Sequence, residues 1–260
     1  GAGLAAAFGA PLAGVLFALE ELHKNFSAEV LVSTMAASAV ADYIAVNIIG
    51  LRPVFDFDVE HRIPLRLYWA VVLLGVILGI LGVLYNKLLD KMQDFFDRFN
   101  SKFISIGIML MISFLMMFIY PTVLGSGNDL VKVISDGKFT LIALAILLVA
   151  KLFFSAGSFG TGTPGGIFLP LLVIGAITGG LYSTFLSTAF DVEEYYIKGF
   201  VIIAMAGFFS AIVRAPITGV ILITEMTGNF MTLLSLVSAS LVAYVVADLL
   251  GGEPVYDQLM

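Results

Sequence analysis

Cysteine is absent from the 260 residues, so neither a disulfide nor a thiolate metal site is open to this chain. Charge is scarce as well: Asp, Glu, Lys and Arg together make up 12% of the residues, where soluble domains carry about a quarter. A folded body of this size would lack a polar shell in water. The two histidines, His23 and His61, are solitary, with no partner at metal-ligand spacing. With a net charge of −6 and no dense basic run, the chain has nothing to track a nucleic acid backbone. Ser and Thr are plentiful, yet no nucleophile–base constellation is visible, so the chain reads as neither an enzyme nor a cofactor carrier. Also missing are an initiator Met, a basic n-region and a signal-peptide pattern. The chain opens at Gly1 inside an apolar run and is read as part of a longer protein, lacking an N-terminal portion.

What is present is apolar sequence. Hydrophobic residues make up 60% and the mean hydropathy is +1.06. Uncharged runs cover residues 1–19, 67–86, 103–120, 165–190 and 226–247. Two more, 30–51 and 139–156, are interrupted only by Asp42 and Lys151. Since about 20 apolar residues span a bilayer, these runs predict an all-α, polytopic membrane protein. Asp42 and Asp248 are expected near helix ends. Lys151 and Arg214 are expected to find a carbonyl or an acid.

Polar stretches are short, and no compositional break marks a second domain. Residues 1–260 therefore read as one transmembrane domain. Lys87, Lys91, Arg98 and Lys102 form the densest basic cluster, which the positive-inside tendency puts in the cytoplasm. The acidic loops Asp56 to Glu60 and Asp191 to Glu194 then lie outside.

Proline interrupts several apolar segments: Pro11, Pro164, Pro170 and Pro216. Broken helices at membrane depth are tolerated where protein or a watery cavity satisfies the freed backbone groups. Breaks of this density predict a transporter or channel with broken and tilted helices. A repeat accompanies them. FGAPLAGVLFALE (8–20) and VRAPITGVILITE (213–225) share five identities in 13 positions, Glu20 and Glu225 among them. Internal repeats underlie many transporter folds, often with inverted topology. Residues 1–50 are expected to close a first repeat and 64–260 to form a second. The repeat offset puts the counterpart of Gly165–Gly166 about 40 residues ahead of Gly1.

The motif with the clearest chemistry is GTGTPGGIFLP, 160–170. A helix starting near Ile167 would aim unpaired N–H groups and the positive end of its dipole at whatever lies before it, which favours an anion. Without a full positive charge, such a site holds an ion weakly enough to release it. A Gly-rich packing loop is the competing reading. A phosphate-binding P-loop is not, because no Lys-Ser/Thr follows the glycines.

GTPGGIFLP resembles the anion-binding stretch of the CLC chloride channels and transporters. AAFGAPLAGVLFALEE, RAPITGVILITEMTGN and GGEPVYDQL resemble three further signatures of that family, in family order along essentially the whole chain. The resemblance implies a CLC-like fold with inverted repeats and a chloride ion as bound substrate. Gly166 and the backbone amides of Ile167 and Phe168 would line the chloride site, and the Tyr256 hydroxyl would donate to the same ion. By composition alone Tyr256 reads as an interfacial anchor. Glu253 departs from the family's common Lys. Glu21 matches the internal proton-transfer glutamate of the exchanging members, whereas by itself it could snorkel or pair with Lys24. A carboxyl out of water holds its proton more readily than one in water, which suits that role. Glu20 and Glu225 are expected to be structural. Two family loops, Gly-Ser-Gly-Ile-Pro and Gly-Arg-Glu-Gly-Pro, would precede Gly1, and Gly125-Ser126-Gly127-Asn128 would be a non-functional counterpart of the first. The implied activity is chloride/proton antiport by a homodimer, with the Pro11 and Pro216 helices at the subunit interface. A passive chloride channel of the same family and a cation-coupled transporter with inverted repeats are the alternatives.

Overall fold

The computed structural model describes residues 1–50, 54–55, 61–99, 101–163 and 165–256. The acidic loop at Asp56 to Glu60 and the break at Pro164 lie outside the described residues. Among them the secondary structure is helical throughout, with no strand: α1 (Ala2–Phe8), α2 (Pro11–Phe17), α3 (Ala28–Ile49), α4 (Tyr68–Asp97), α5 (Lys102–Ile119), α6 (Asn128–Ser135), α7 (Leu141–Gly160), α8 (Phe168–Phe190), α9 (Ile197–Val213), α10 (Pro216–Thr227) and α11 (Leu233–Leu249). Among the described residues six helical segments are long and apolar enough to cross a membrane. Their outer faces are apolar too: Phe103, Phe114 and Phe118 of α5 are largely exposed, an arrangement that only lipid tolerates over so wide an area.

The hub is α9, whose residues from Gly199 to Val213 are all buried. Small residues let its neighbours approach. A Cβ at Gly179 of α8 would stand 2.6 Å from the Phe200 carbonyl oxygen, and one at Gly175 would stand 2.8 Å from that of Ala204. On α4, Gly75 and Gly79 meet α11 in the same way, at 2.9 Å and 2.8 Å from the Ala239 and Ala243 carbonyl oxygens. Gly82 meets Ala211 of α9. In lipid, where apolar side chains gain little by leaving their solvent, such close backbone packing carries helix association.

The breaks at Pro11 and Pro216 fall at the predicted places. Pro11 and Pro216 each occupy the first turn of a helix, where the missing N–H would have had no partner anyway. The two repeat helices run antiparallel and cap one another. The Glu225 carboxylate, at the end of α10, accepts from the amides of Leu12 (3.0 Å) and Ala13 (2.8 Å) at the start of α2. Reciprocally, Glu20 just beyond α2 accepts from Ile217 (3.2 Å) and Thr218 (2.7 Å) at the start of α10, and from the Thr218 hydroxyl (2.8 Å). Glu20 and Glu225 are thus structural, as expected, and the repeat is inverted.

Lys151, 1% exposed, donates to the carbonyls of Val123 and Gly125, each at 2.8 Å. It ties α7 to the Gly125–Asn128 loop. Asp248 sits at the end of α11 as expected, but Asp42 does not sit at a helix end. It lies two turns inside α3, because apolar residues continue the helix to Ile49. There it faces a groove with Leu12 and Tyr43. Arg66 and Glu193 pair at 3.0 Å, joining the loops that precede α4 and follow α8 at the end of the molecule opposite Lys87 to Lys102.

The same small change should have opposite effects at two glycines. Gly179→Ala, which drives a methyl into the α9 backbone, is expected to cost about 1–3 kcal/mol. Gly107→Ala, with nothing within 4 Å, should be neutral or gain about 1 kcal/mol in helix propensity. Thermal melts in detergent read both. Glu225→Ala and Glu20→Ala should each cost about 0.5–2 kcal/mol, the range for a lost N-terminal cap.

Candidate functional site

The loop before α8 is built by its own hydroxyls and glycines. After α7 ends, Gly162 turns with φ +68° and donates its amide to the Phe159 carbonyl at 3.0 Å. The Thr161 hydroxyl donates to the Ser158 carbonyl (2.8 Å) and lies 2.9 Å from that of Thr163. Helix α8 then begins at Phe168 with Ile167 as its N-cap, and no side chain caps it. Its first-turn amides are left to whatever occupies the space in front. Space is available: a Cβ at Gly166 would meet nothing within 4 Å.

That space is a cavity of about 580 Å³, lined among others by Gly166, Ile167, Phe168 and Tyr256. The four residues singled out in the sequence therefore meet on one wall, although Tyr256 is far from the others along the chain. Lys102 and Gln93 also line it, and the Lys102 Nζ comes within 3.9 Å of where a Gly162 Cβ would stand. The cavity thus opens at the basic end of the molecule, with a cation near its mouth.

Aromatic rings pack around Phe168. Phe168 stacks on Phe8 (centroids 5.3 Å), meets Phe17 edge-on (6.3 Å) and tilts against Phe209 (4.8 Å). Phe17 in turn meets the Tyr256 ring edge-on at 5.7 Å. Contacts of this kind contribute about 0.5–1.5 kcal/mol each and join both ends of the chain at α8. Among the described residues the Tyr256 hydroxyl makes no hydrogen bond, so its donor is available to the cavity.

Glu21 does not line the cavity. It is 5% exposed and close enough to Tyr256 for carboxylate and phenol to interact electrostatically. It stands in a single π-helical turn, Ala18–Leu22, in which the His23 amide donates to the Ala18 carbonyl at 2.9 Å. Such turns are frequent at functional sites. Consecutive carboxylates in this turn serve different partners: Glu20 reaches the start of α10 while Glu21 remains buried near Tyr256.

Tyr256 is held in place by Asn86 and Arg214. The Asn86 amide on α4 donates to the Glu253 carbonyl at 2.6 Å. Arg214, at the end of α9, donates to the carbonyls of Gly252 (2.7 Å) and Tyr244 (2.9 Å) and lies 3.7 Å from Asp248. Arg214 thus finds carbonyls and an acid, as expected, and its carbonyl contacts fix the approach of the C-terminal segment. Glu253 is used through its backbone, so replacing the family's common Lys leaves this tether intact. Asn86, Phe8, Phe17 and Phe209 were not singled out in the sequence: Phe8 and Phe17 fall within a quoted signature but as apolar positions among 22 phenylalanines, and Asn86 and Phe209 lie in no quoted motif.

The family model for voltage gated chloride channels matches residues 1–248. The H(+)/Cl(-) exchange transporter ClcA of Vibrio cholerae serotype O1 is 36% identical over 265 residues, covering 99% of this chain and 57% of that protein. Its namesake from Yersinia pestis bv. Antiqua is 34% identical over 272 residues, covering 100% of this chain and 56% of that protein. Among solved structures, a slow cyanobacterial Cl-/H+ antiporter superimposes with a TM-score of 0.87 at 29% identity, over 99% of this chain and 61% of that one. The chain spans a little over half the length of these curated relatives.

Asn86→Ala removes a part-buried hydrogen bond to the C-terminal segment. It should cost about 0.5–1.5 kcal/mol and should speed hydrogen exchange at residues 252–256 more than elsewhere. Uniform exchange across the chain would show that Asn86 does not tether Tyr256.

Proposed function

Because the chain belongs to the voltage-gated chloride channel family, we propose that the full-length protein exchanges chloride for protons across a membrane. The observation that carries this reading is the uncapped start of α8 facing a cavity that it shares with the Tyr256 hydroxyl. In this reading chloride is the bound substrate. The amides of Ile167 and Phe168 and the Tyr256 hydroxyl donate to it, and the open space at Gly166 lets it approach the backbone. The half-charge of a helix start attracts a halide without trapping it. Lys102 at the mouth raises the local anion concentration without touching the bound ion.

Glu21 carries the proton in this account. Its burial beside Tyr256 supports this reading: a titratable group there would stand near the proposed chloride position without lining the cavity, so the two ions need not share one path. The sources of the relatives make a bacterial inner membrane the natural setting. Homodimerisation fits the apolar grooves on the two capped repeat helices, one beside Leu12 and Val15 and the other beside Ile217 and Val220.

The test is transport by the full-length protein in liposomes. A chloride gradient should drive protons uphill, and Glu21→Gln should keep chloride flux while proton movement falls to background. Tyr256→Phe, which removes one hydrogen bond to an ion, should weaken chloride binding about tenfold or more. Bromide-soaked crystals should give an anomalous peak beside Ile167, Phe168 and Tyr256. Undiminished coupling in Glu21→Gln would remove the proton role from that residue. Chloride flux without proton movement in the unaltered protein would favour a passive channel, and sodium-dependent solute uptake with no halide peak would sink the chloride reading itself.

A further inference from the structure

We propose that the groove between α4 and α7 binds an anionic diacyl phospholipid, with its phosphate between Lys87 and Lys91 and an acyl chain along the helices. The groove has a volume of about 380 Å³ and shares no lining residue with the cavity in front of α8. Its walls are apolar, from Leu84, Leu88, Leu152 and Phe153. The Tyr85 hydroxyl on its lining is already engaged, 2.8 Å from the Ser155 hydroxyl. The two ammonium groups are what the groove has left to offer a polar ligand.

Depth along α4 places those ammonium groups at headgroup level. Helix α4 starts at Tyr68, next to the Arg66–Glu193 pair at one membrane surface. At ~1.5 Å per residue, Lys87 is about 28 Å further along the axis, close to the ~30 Å thickness of the hydrocarbon layer. The residues before it are therefore at acyl-chain depth, and Lys87 and Lys91 emerge at the opposite interface. Ile80, Leu84, Lys87 and Lys91 recur every three or four residues, so they share one helix face. The exposed part of that face changes from apolar to basic where a phospholipid changes from chain to phosphate.

Charge complementarity sets the class of lipid. Among the described residues neither lysine has a hydrogen bond or an ion pair. Asp90 lies near enough to Glu253 and to Asp94 for their charges to interact. Asp94 follows Lys91 by one turn without pairing with it. Two unneutralised cations at helical spacing favour a phosphodiester with net negative charge over a zwitterion that brings its own ammonium. The positive-inside tendency puts this end in the cytoplasm, facing the leaflet whose anionic headgroups attract juxtamembrane lysines.

Native mass spectrometry of the full-length protein, titrated in detergent with dioleoyl phosphatidylglycerol or dioleoyl phosphatidylcholine, tests the site. At ~1 kcal/mol per lysine near an anionic surface, phosphatidylglycerol should bind about thirty-fold tighter. Lys87→Gln/Lys91→Gln should lose most of that preference while melting like the unaltered protein. Leu84→Trp, which fills the groove and keeps both charges, should weaken binding of either lipid. Deacylated glycerophosphoglycerol should not compete. Equal binding of the two lipids, a preference that survives in the double lysine variant, or competition by the soluble headgroup as strong as by the lipid would each overturn the proposal.

Discussion

Amide donors beyond the reach of water govern how this chain is arranged. Every helix start leaves N–H groups without intrahelical partners, and inside a bilayer each one left unmet is costly. The chain meets this in two ways. At α2 and α10 the donors are taken up by carboxylates from the repeat mate, Glu225 and Glu20. At α8 no side chain is supplied, and the donors face a cavity. The two closed starts lock the inverted pair together. The open one is where a ligand can act as the cap.

An open helix end is useful only if the helix cannot shift to close it. Rigidity at α8 comes from the glycines that seat it against α9 at backbone distance, and from Gly180 against Ile134 of α6. The same device on α4 holds α11 and α9. These contacts explain why so apolar a chain still has a specific interior: in lipid it is shape, more than hydrophobicity, that separates one helix pairing from another. The aromatic cluster of Phe8, Phe17, Phe168 and Phe209 extends that rigid frame to the edge of the cavity.

Tyr256 belongs to this frame by tether rather than by helix packing. Asn86 and Arg214 bind backbone carbonyls just before it, so its position depends on α4 and α9, the most heavily packed parts of the molecule. The residues proposed for proton and anion are drawn together in the same way. The π-helical turn gives Glu20 to the α10 cap and leaves Glu21 buried near Tyr256. One local irregularity thereby links the repeat contact to the proposed proton group.

By itself the sequence determined the solvent, the class of fold and the repeat. Apolar run length and the shortage of charge leave only the bilayer, and the matched Pro and Glu positions identify the paired helices. It also determined where α8 starts, because Gly and Pro act locally on the backbone. The helical position of Asp42 was not legible, since one acid in an apolar run is compatible with an end or a middle. Only the tertiary structure decided which donors are capped and which stay open. That depends on Glu225 meeting Leu12, 213 positions away, and on Tyr256 sharing a cavity with a helix start well back in the chain, and helical periodicity carries no information at such separations. The tether through Asn86 and the ring contacts of Phe8 and Phe17 were invisible for the same reason: their residue types are ordinary, and their roles come from what folding brings beside them.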